Sequence, residues 1–193
     1  MHSYSLSEER NLTVYFYLAV VSIFLFFIIY RLLNIISIQI PWYIESPSAL
    51  TIFFLMFFLF DRYIWKLPVL SFLSKTPVLE GDWKGYITST HNNHKSRYSV
   101  KLSITQTWSK IQINMRCNSS KSKSNSAVII QNDSDIELIY TYKNIPKANS
   151  VITMNRHIGT VELSLNKNTL EGEYYTNRDR TNQGYIKLNK IIT

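Results

Sequence analysis

Apolar residues follow two different patterns along this chain. From Leu12 to Tyr30 the sequence reads LTVYFYLAVVSIFLFFIIY, nineteen residues without a charge. At about 1.5 Å rise per residue such a helix reaches roughly 28 Å, close to the ~30 Å hydrocarbon core of a bilayer. A second run, ALTIFFLMFFLF, covers Ala49–Phe60. Ser46 is a good cap residue, Pro47 suits a first helical position, and Lys66-Leu67-Pro68 marks a stop, so a helix is predicted over 47–65. Phe53, Phe54, Phe57, Phe58 and Phe60 crowd all its faces, more apolar surface than a small soluble domain could cover. Trp42, Tyr43, Tyr63 and Trp65 flank it as interfacial aromatics do. The pattern predicts a membrane anchor over 1–77, with two transmembrane helices at about 12–30 and 47–65.

Past residue 78 the period changes from helical to two. Val161, Leu163 and Leu165 alternate with polar neighbours, as do Tyr98, Val100, Leu102 and Ile104, and Ile136, Leu138 and Tyr140. Eight strands are predicted, near 79–89, 98–107, 109–116, 125–131, 135–143, 156–166, 169–177 and 184–191. An all-β domain over 78–193 follows. An eight-stranded antiparallel up-and-down barrel, of lipocalin or streptavidin type, would leave no exposed edge; a sandwich is the alternative. Leu79-Glu80-Gly81-Asp82-Trp83 is echoed by Leu170-Glu171-Gly172-Glu173-Tyr174. In each the glycine permits a bend and the aromatic points inward, and Trp83 is expected to plug one end of the core.

Charge sharpens this picture. The formal net charge is +8. Residues 1–77 hold Arg10, Arg31, Arg62, Lys66 and Lys75 against Glu8, Glu9, Glu45 and Asp61, so nearly all the excess lies in the β-domain. Arg62, Lys66, Lys75 and Lys84 follow the second helix, which places the β-domain, and with an even span count the N-terminus, in the cytoplasm. Neither span carries a central charge, which argues against a proton relay. In up-and-down order the long far-end loops are 90–97, 117–124, 144–155 and 178–183. These loops and their margins hold Lys95, Arg97, Arg116, Lys121, Lys123, Lys143, Lys147, Arg156, Arg178 and Arg180, against Asp179 alone. A positive rim around a cup attracts an anion.

Tyrosines share the far half, and aromatic faces stack on bases while arginines grip phosphate as forks. The candidate ligand-binding residues are therefore Tyr98, Tyr142, Arg156, Thr176, Arg178 and Arg180. The bland reading of 177–183 is a solvated hairpin loop, and that of the tyrosines is ordinary core. Catalytic signatures are absent: no phosphate-binding glycine loop, no nucleophile elbow, no catalytic acidic pair. No enzyme, cofactor or metal site is expected; His91 and His94 lack a nearby carboxylate or cysteine pair. Cys117 stands alone, so no intrachain disulfide forms, in keeping with a reducing compartment.

Two N-terminal spans, a short link and an eight-stranded basic barrel opening at Leu79-Glu80-Gly81-Asp82-Trp83-Lys84-Gly85 resemble the two-transmembrane β-barrel effectors of bacterial cyclic-oligonucleotide-based antiphage signalling systems (CBASS). The resemblance covers the whole chain. It implies an antiphage defence effector of the bacterial inner membrane whose barrel binds a cyclic dinucleotide or related cyclic oligonucleotide. Binding would trigger homo-oligomerisation, disruption of the bilayer and death of the infected cell; stable DNA or RNA binding is not expected. Two other readings stay open: a membrane-tethered lipocalin-like barrel holding a lipid or small hydrophobic ligand, and a barrel docking a partner protein.

Overall fold

The apolar run beginning at Leu12 folds as one helix, α1 (Asn11–Ile35). The computed structural model describes residues 1–6, 11–36, 42–68, 76–90, 96–131, 135–146, 156–176 and 182–191. Helix α1 continues past Tyr30 because Arg31 does not end it: the guanidinium lies 5.3 Å from the Phe27 ring centre. Helix α2 runs Trp42–Arg62 and is followed by a 3-10 turn at Ile64–Lys66. It starts about one turn before the predicted cap, so Pro47 lies within the helix and not at its first position. Trp65, expected in an interfacial belt, is buried.

The two helices pair, with Tyr15 stacked on Phe57 at 5.5 Å. Val14, Leu18 and Ser22, spaced by four, form the buried stripe of α1, and the Ser22 hydroxyl donates to the Leu18 carbonyl at 2.6 Å. Phe16, Ile23, Phe24 and Phe27 of α1, and Phe54, Leu55 and Phe58 of α2, are more than half exposed. Large apolar side chains left on the outside of a helical pair match a lipid surround. Among the described residues, Leu12–Ile35 is the stretch long and apolar enough to cross a membrane.

The second part is the barrel. Its strands are β3 (Gly81–Ile87), β4 (Tyr98–Gln106), β5 (Lys110–Cys117), β6 (Ser120–Gln131), β7 (Ile136–Pro146), β8 (His157–Asn166), β9 (Thr169–Thr176) and β10 (Gln183–Lys190). Each pairs antiparallel with the next, β10 returns to β3, and β5 pairs β6, so the sheet closes and the sandwich is excluded. Alternation decides the faces. In β4, Val100, Leu102, Ile104 and Gln106 are buried while Lys101, Ser103 and Thr105 are exposed. Leu138, Tyr140, Val161, Leu163, Leu170, Ile186 and Leu188 complete the core from the other strands.

One strand was misread. Ser120–Ser124, a polar S-K-S-K-S tract within the expected loop 117–124, is the first half of β6. Ser122 and Ser124 are buried inside and Lys121 and Lys123 are exposed outside. A strand whose two faces are both polar gives no hydrophobic period to read.

Closure is narrow. Strands β5 and β6 share only three register pairs, Asn114 with Lys123, Met115 with Ser122 and Arg116 with Lys121. Past the bulge at Ser124/Ser126, the N-terminus joins the sheet. Two short strands, β1 (His2–Ser3) and β2 (Ser5–Leu6), pair antiparallel to β5 and parallel to β6. The Ser124 hydroxyl accepts from the Ile113 N–H at 2.9 Å and the Gln112 amide at 3.0 Å, and lies 2.7 Å from His2 Nε2. Met1–Ser7 thus groups with Pro77–Thr193 as one unit and Glu8–Thr76 forms the other, whereas the sequence reading had assigned residues 1–77 to the anchor.

At the near end, the buried Gln106 side chain accepts from the Leu79 N–H at 2.8 Å and donates to the Pro77 carbonyl at 3.0 Å and the Tyr4 hydroxyl at 3.3 Å. Trp83 is buried beside it, its indole N–H donating to the Leu79 carbonyl at 3.2 Å. Gly81 sits at φ +132°, a conformation open to glycine.

Candidate functional site

The far end of the barrel is lined by residues that period two turns inward. Tyr140, Tyr142 and Asn144 follow one another on the inner face of β7. Asn144 lies opposite Ser122 of β6, and both are buried. From β5 comes Cys117, a free thiol packed against the core, and from β9 Tyr174. The ring of His157, on β8, meets Tyr142 edge-on at 6.2 Å.

Two glycines shape this lining. A Cβ on Gly159 would stand 2.5 Å from Tyr142 Cζ, and one on Gly184 would stand 2.2 Å from Tyr174 Cε1. Gly159 is the register partner of Tyr142, and Gly184 of Tyr174. Each tyrosine ring therefore lies sideways over a bare backbone on the neighbouring strand.

The phenols are held neutral. Burial pushes Tyr140 far above its ordinary value of about 10, with Tyr142 adding to the rise. Burial raises Tyr142 likewise, followed by Tyr174. Burial raises Tyr174 too; a hydrogen bond with Ser89 opposes this, and Cys117 and Tyr98 add to it. All three stay protonated donors at neutral pH. The Tyr140 hydroxyl is completely enclosed and has no hydrogen-bond partner among the described residues. An unpaired buried hydroxyl costs about 1–3 kcal/mol, which a ligand acceptor would recover.

Of the sequence-predicted residues, Tyr98 and Tyr142 share this inner face. Tyr142 is buried, and Tyr98, the first residue of β4, has inner-face parity at the mouth, 41 % exposed. Thr176 ends β9 on the same parity. Its hydroxyl donates to the Asn182 carbonyl at 3.1 Å and accepts the Asn182 N–H at 3.2 Å, joining both ends of the 177–181 segment. Arg178 and Arg180 lie in that segment, outside the described residues. Arg156 is exposed immediately before β8, on outer-face parity, and is not brought to the tyrosines. Sequence reasoning missed Asn144, Gly159 and Gly184. The alternation from Leu138 through Tyr142 could have found Asn144; the glycine notches depend on cross-strand register.

The predicted basic rim is partly a wall. Arg116, Lys121, Lys123 and Lys143 lie on the outer face of β5–β7 and are exposed. The extension of β6 to Ser120 moved Lys121 and Lys123 from a loop to this face. Arg97 stays near the mouth, its guanidinium 4.5 Å from the Tyr86 ring centre. Lys95 and Lys147 fall outside the described residues. Among the described residues, no group of three or more His, Cys, Asp or Glu could hold a metal.

Comparison with known proteins covers both parts of the chain. Residues 74–190 match the family model described as Cap15, cyclic dinucleotide receptor domain, and residues 13–66 match that of the Cap15 TM helices. A CD-NTase-associated protein 15 from Yersinia aleksiciae is 28 % identical over 190 residues, 91 % of this chain and 89 % of that protein. One of the same name from Staphylococcus schleiferi is 26 % identical over 167 residues, 86 % of this chain and 90 % of that protein. These matches bear out the family resemblance drawn from the two spans and the barrel.

Proposed function

Because this chain belongs to the Cap15 family, we propose that it is an antiphage effector whose far-end cup binds a cyclic dinucleotide. Binding drives self-assembly, and the gathered helices breach the inner membrane. The observation that carries the reading is the Tyr140 hydroxyl, enclosed and unpartnered beneath the mouth of a barrel lined with neutral phenols. Once its neighbours shift to admit a ligand, a phosphodiester or base edge supplies the acceptor it lacks. Tyr142, Tyr174 and Tyr98 offer ring faces for bases, and Arg178 and Arg180 supply the cations for phosphate. Neutral phenols also approach a phosphate without repulsion. The polar lining at Ser122 and Asn144 does not favour a lipid tail as the occupant.

Residues 8–76 act as the anchor and 77–193 as the receptor. Pairing of the first six residues with β5 and β6 supports one compartment for the N-terminus and the barrel. That requires an even number of crossings, so α2 crosses if α1 does. Positive charge after α2 supports the cytoplasm as that compartment. The chain acts by binding, without catalysis.

Isothermal titration of the detergent-solubilised full chain against cyclic dinucleotides carrying A, G, U and C tests the receptor reading. Saturable heat that weakens about tenfold in Tyr140→Phe is expected, the scale of one hydrogen bond. No heat with any of them, or full affinity in that variant, overturns it. Dye release from liposomes tests the last step: an intact bilayer with bound ligand would remove membrane disruption from the mechanism.

A further inference from the structure

The outer surface of the barrel is divided by charge. On β3–β7, register sets cations directly opposite one another: Lys84 with Lys101, Lys101 with Arg116, Arg116 with Lys121, and Lys123 with Lys143. All six are exposed, and the described structure gives none of them a carboxylate partner. Two exposed apolar residues edge this wall, Ile145 opposite Lys121 and Ile158 opposite Lys143. On β8–β9 the sign reverses. Glu162 faces Glu173 across the strands, and both are exposed. Glu171, next to them, is held by Lys187 at 2.8 Å and by the Tyr185 hydroxyl at 2.9 Å.

Like charges directly opposite on one sheet face are destabilising. Here the arrangement occurs on both walls with opposite signs. In the closed order the basic wall centres on β6 and the acidic pair on β8–β9, two to three strands away among eight, so the two walls face different directions around the barrel. We propose that the basic wall of one copy, centred on Arg116, Lys121, Lys123 and Lys143, docks on the Glu162/Glu173 wall of a second copy. The occupant is another molecule of this chain because the pattern has two halves. An anionic lipid surface would satisfy the cations and leave the paired glutamates unexplained; a second copy satisfies both. Such a contact is heterologous: the joined pair still presents one unused wall of each sign, so it extends into a row. Exposed charge pairs are individually weak, so the row depends on copies concentrated in one membrane. The inference deepens the self-assembly reading and rests on it.

The test uses charge reversal in the full chain, followed by sedimentation in detergent with the same cyclic dinucleotides. A basic-wall variant carries Lys121→Glu, Lys123→Glu and Lys143→Glu; an acidic-wall variant carries Glu162→Lys and Glu173→Lys. All five positions are exposed and none lines the cup, so ligand affinity and circular dichroism are expected unchanged. Each variant then carries the same predominant sign at the contact positions of both walls, with Arg116 left in place beside the reversed lysines. Each alone is expected to associate at least tenfold more weakly than the parent, and their equimolar mixture to associate again by alternation. If the parent assembles and both variants do so equally well, this surface falls while self-assembly stands. A parent that stays monomeric with every ligand removes the assembly reading and this surface with it. Loss confined to the basic-wall variant, and only in vesicles containing phosphatidylglycerol, would reassign that wall to lipid headgroups and overturn the proposal.

Discussion

The two ends of the barrel are built from the same eight strands and solve opposite problems. At the near end Gln106 satisfies Leu79, Pro77 and Tyr4 at once, and the Trp83 indole has its acceptor in Leu79. At the far end a phenol is sealed away without a partner, and glycines replace side chains beneath two tyrosine rings. A finished network stabilises; an unfinished one costs stability and, under the proposed function, holds binding energy in reserve for a ligand. Substitutions at the near end should thus change folding alone, and substitutions at the far end should move folding and binding separately.

The largest expected effect is Trp83→Ala, about 3–5 kcal/mol of destabilisation, read by urea unfolding in detergent. Ligand affinity of the folded fraction should not change; a matching loss of affinity would mean the near end is not merely structural. Gln106→Ala comes next, about 2–3 kcal/mol, because it strands the Leu79 N–H and the Pro77 carbonyl. Gly159→Ala sets a Cβ against Tyr142 and the Tyr175 carbonyl, and should cost about 1–3 kcal/mol and displace the ring from the position proposed for binding. A variant with unaltered affinity would remove Tyr142 from the cup.

Tyr140→Phe has the smallest effect on stability and the most telling sign. Deleting an unpaired hydroxyl should raise stability without ligand by about 1 kcal/mol while weakening binding. A stability loss would mean the hydroxyl has a partner in solution. Alkaline unfolding gives the same group a second reading. Tyr140 and Tyr142 are raised in the folded state, chiefly by burial, so their neutral forms stabilise fully below the unfolded phenol value of about 10. Above that pH the unfolded chain loses protons that the folded one keeps. Stability should fall by about 1.4 kcal/mol per pH unit for each phenol, and Tyr140→Phe should flatten the slope.

The barrel was legible because its strands bury one face, and the alternation at Val161–Leu165 or Tyr98–Ile104 survives any tertiary detail. Ser120–Ser124 escaped because its inner residues are serines, buried where apolar residues are expected. His2–Leu6 escaped because two-residue strands carry no period at all. In the site, parity placed Tyr98, Tyr142 and Thr176 on the inner face. Arg156 was grouped with them by charge and loop position, which do not say to which side a strand margin turns. The Gly159 and Gly184 notches arise between strands, and the enclosed hydroxyl of Tyr140 depends on every neighbour at once.

The short N-terminal strands also set an order of events. Their partners, β5 and β6, are made only after both helices and β3 and β4 have left the ribosome. These residues, synthesised before both helices, are thus among the last to settle, and bulk attached beside them would have to share the seam they fill.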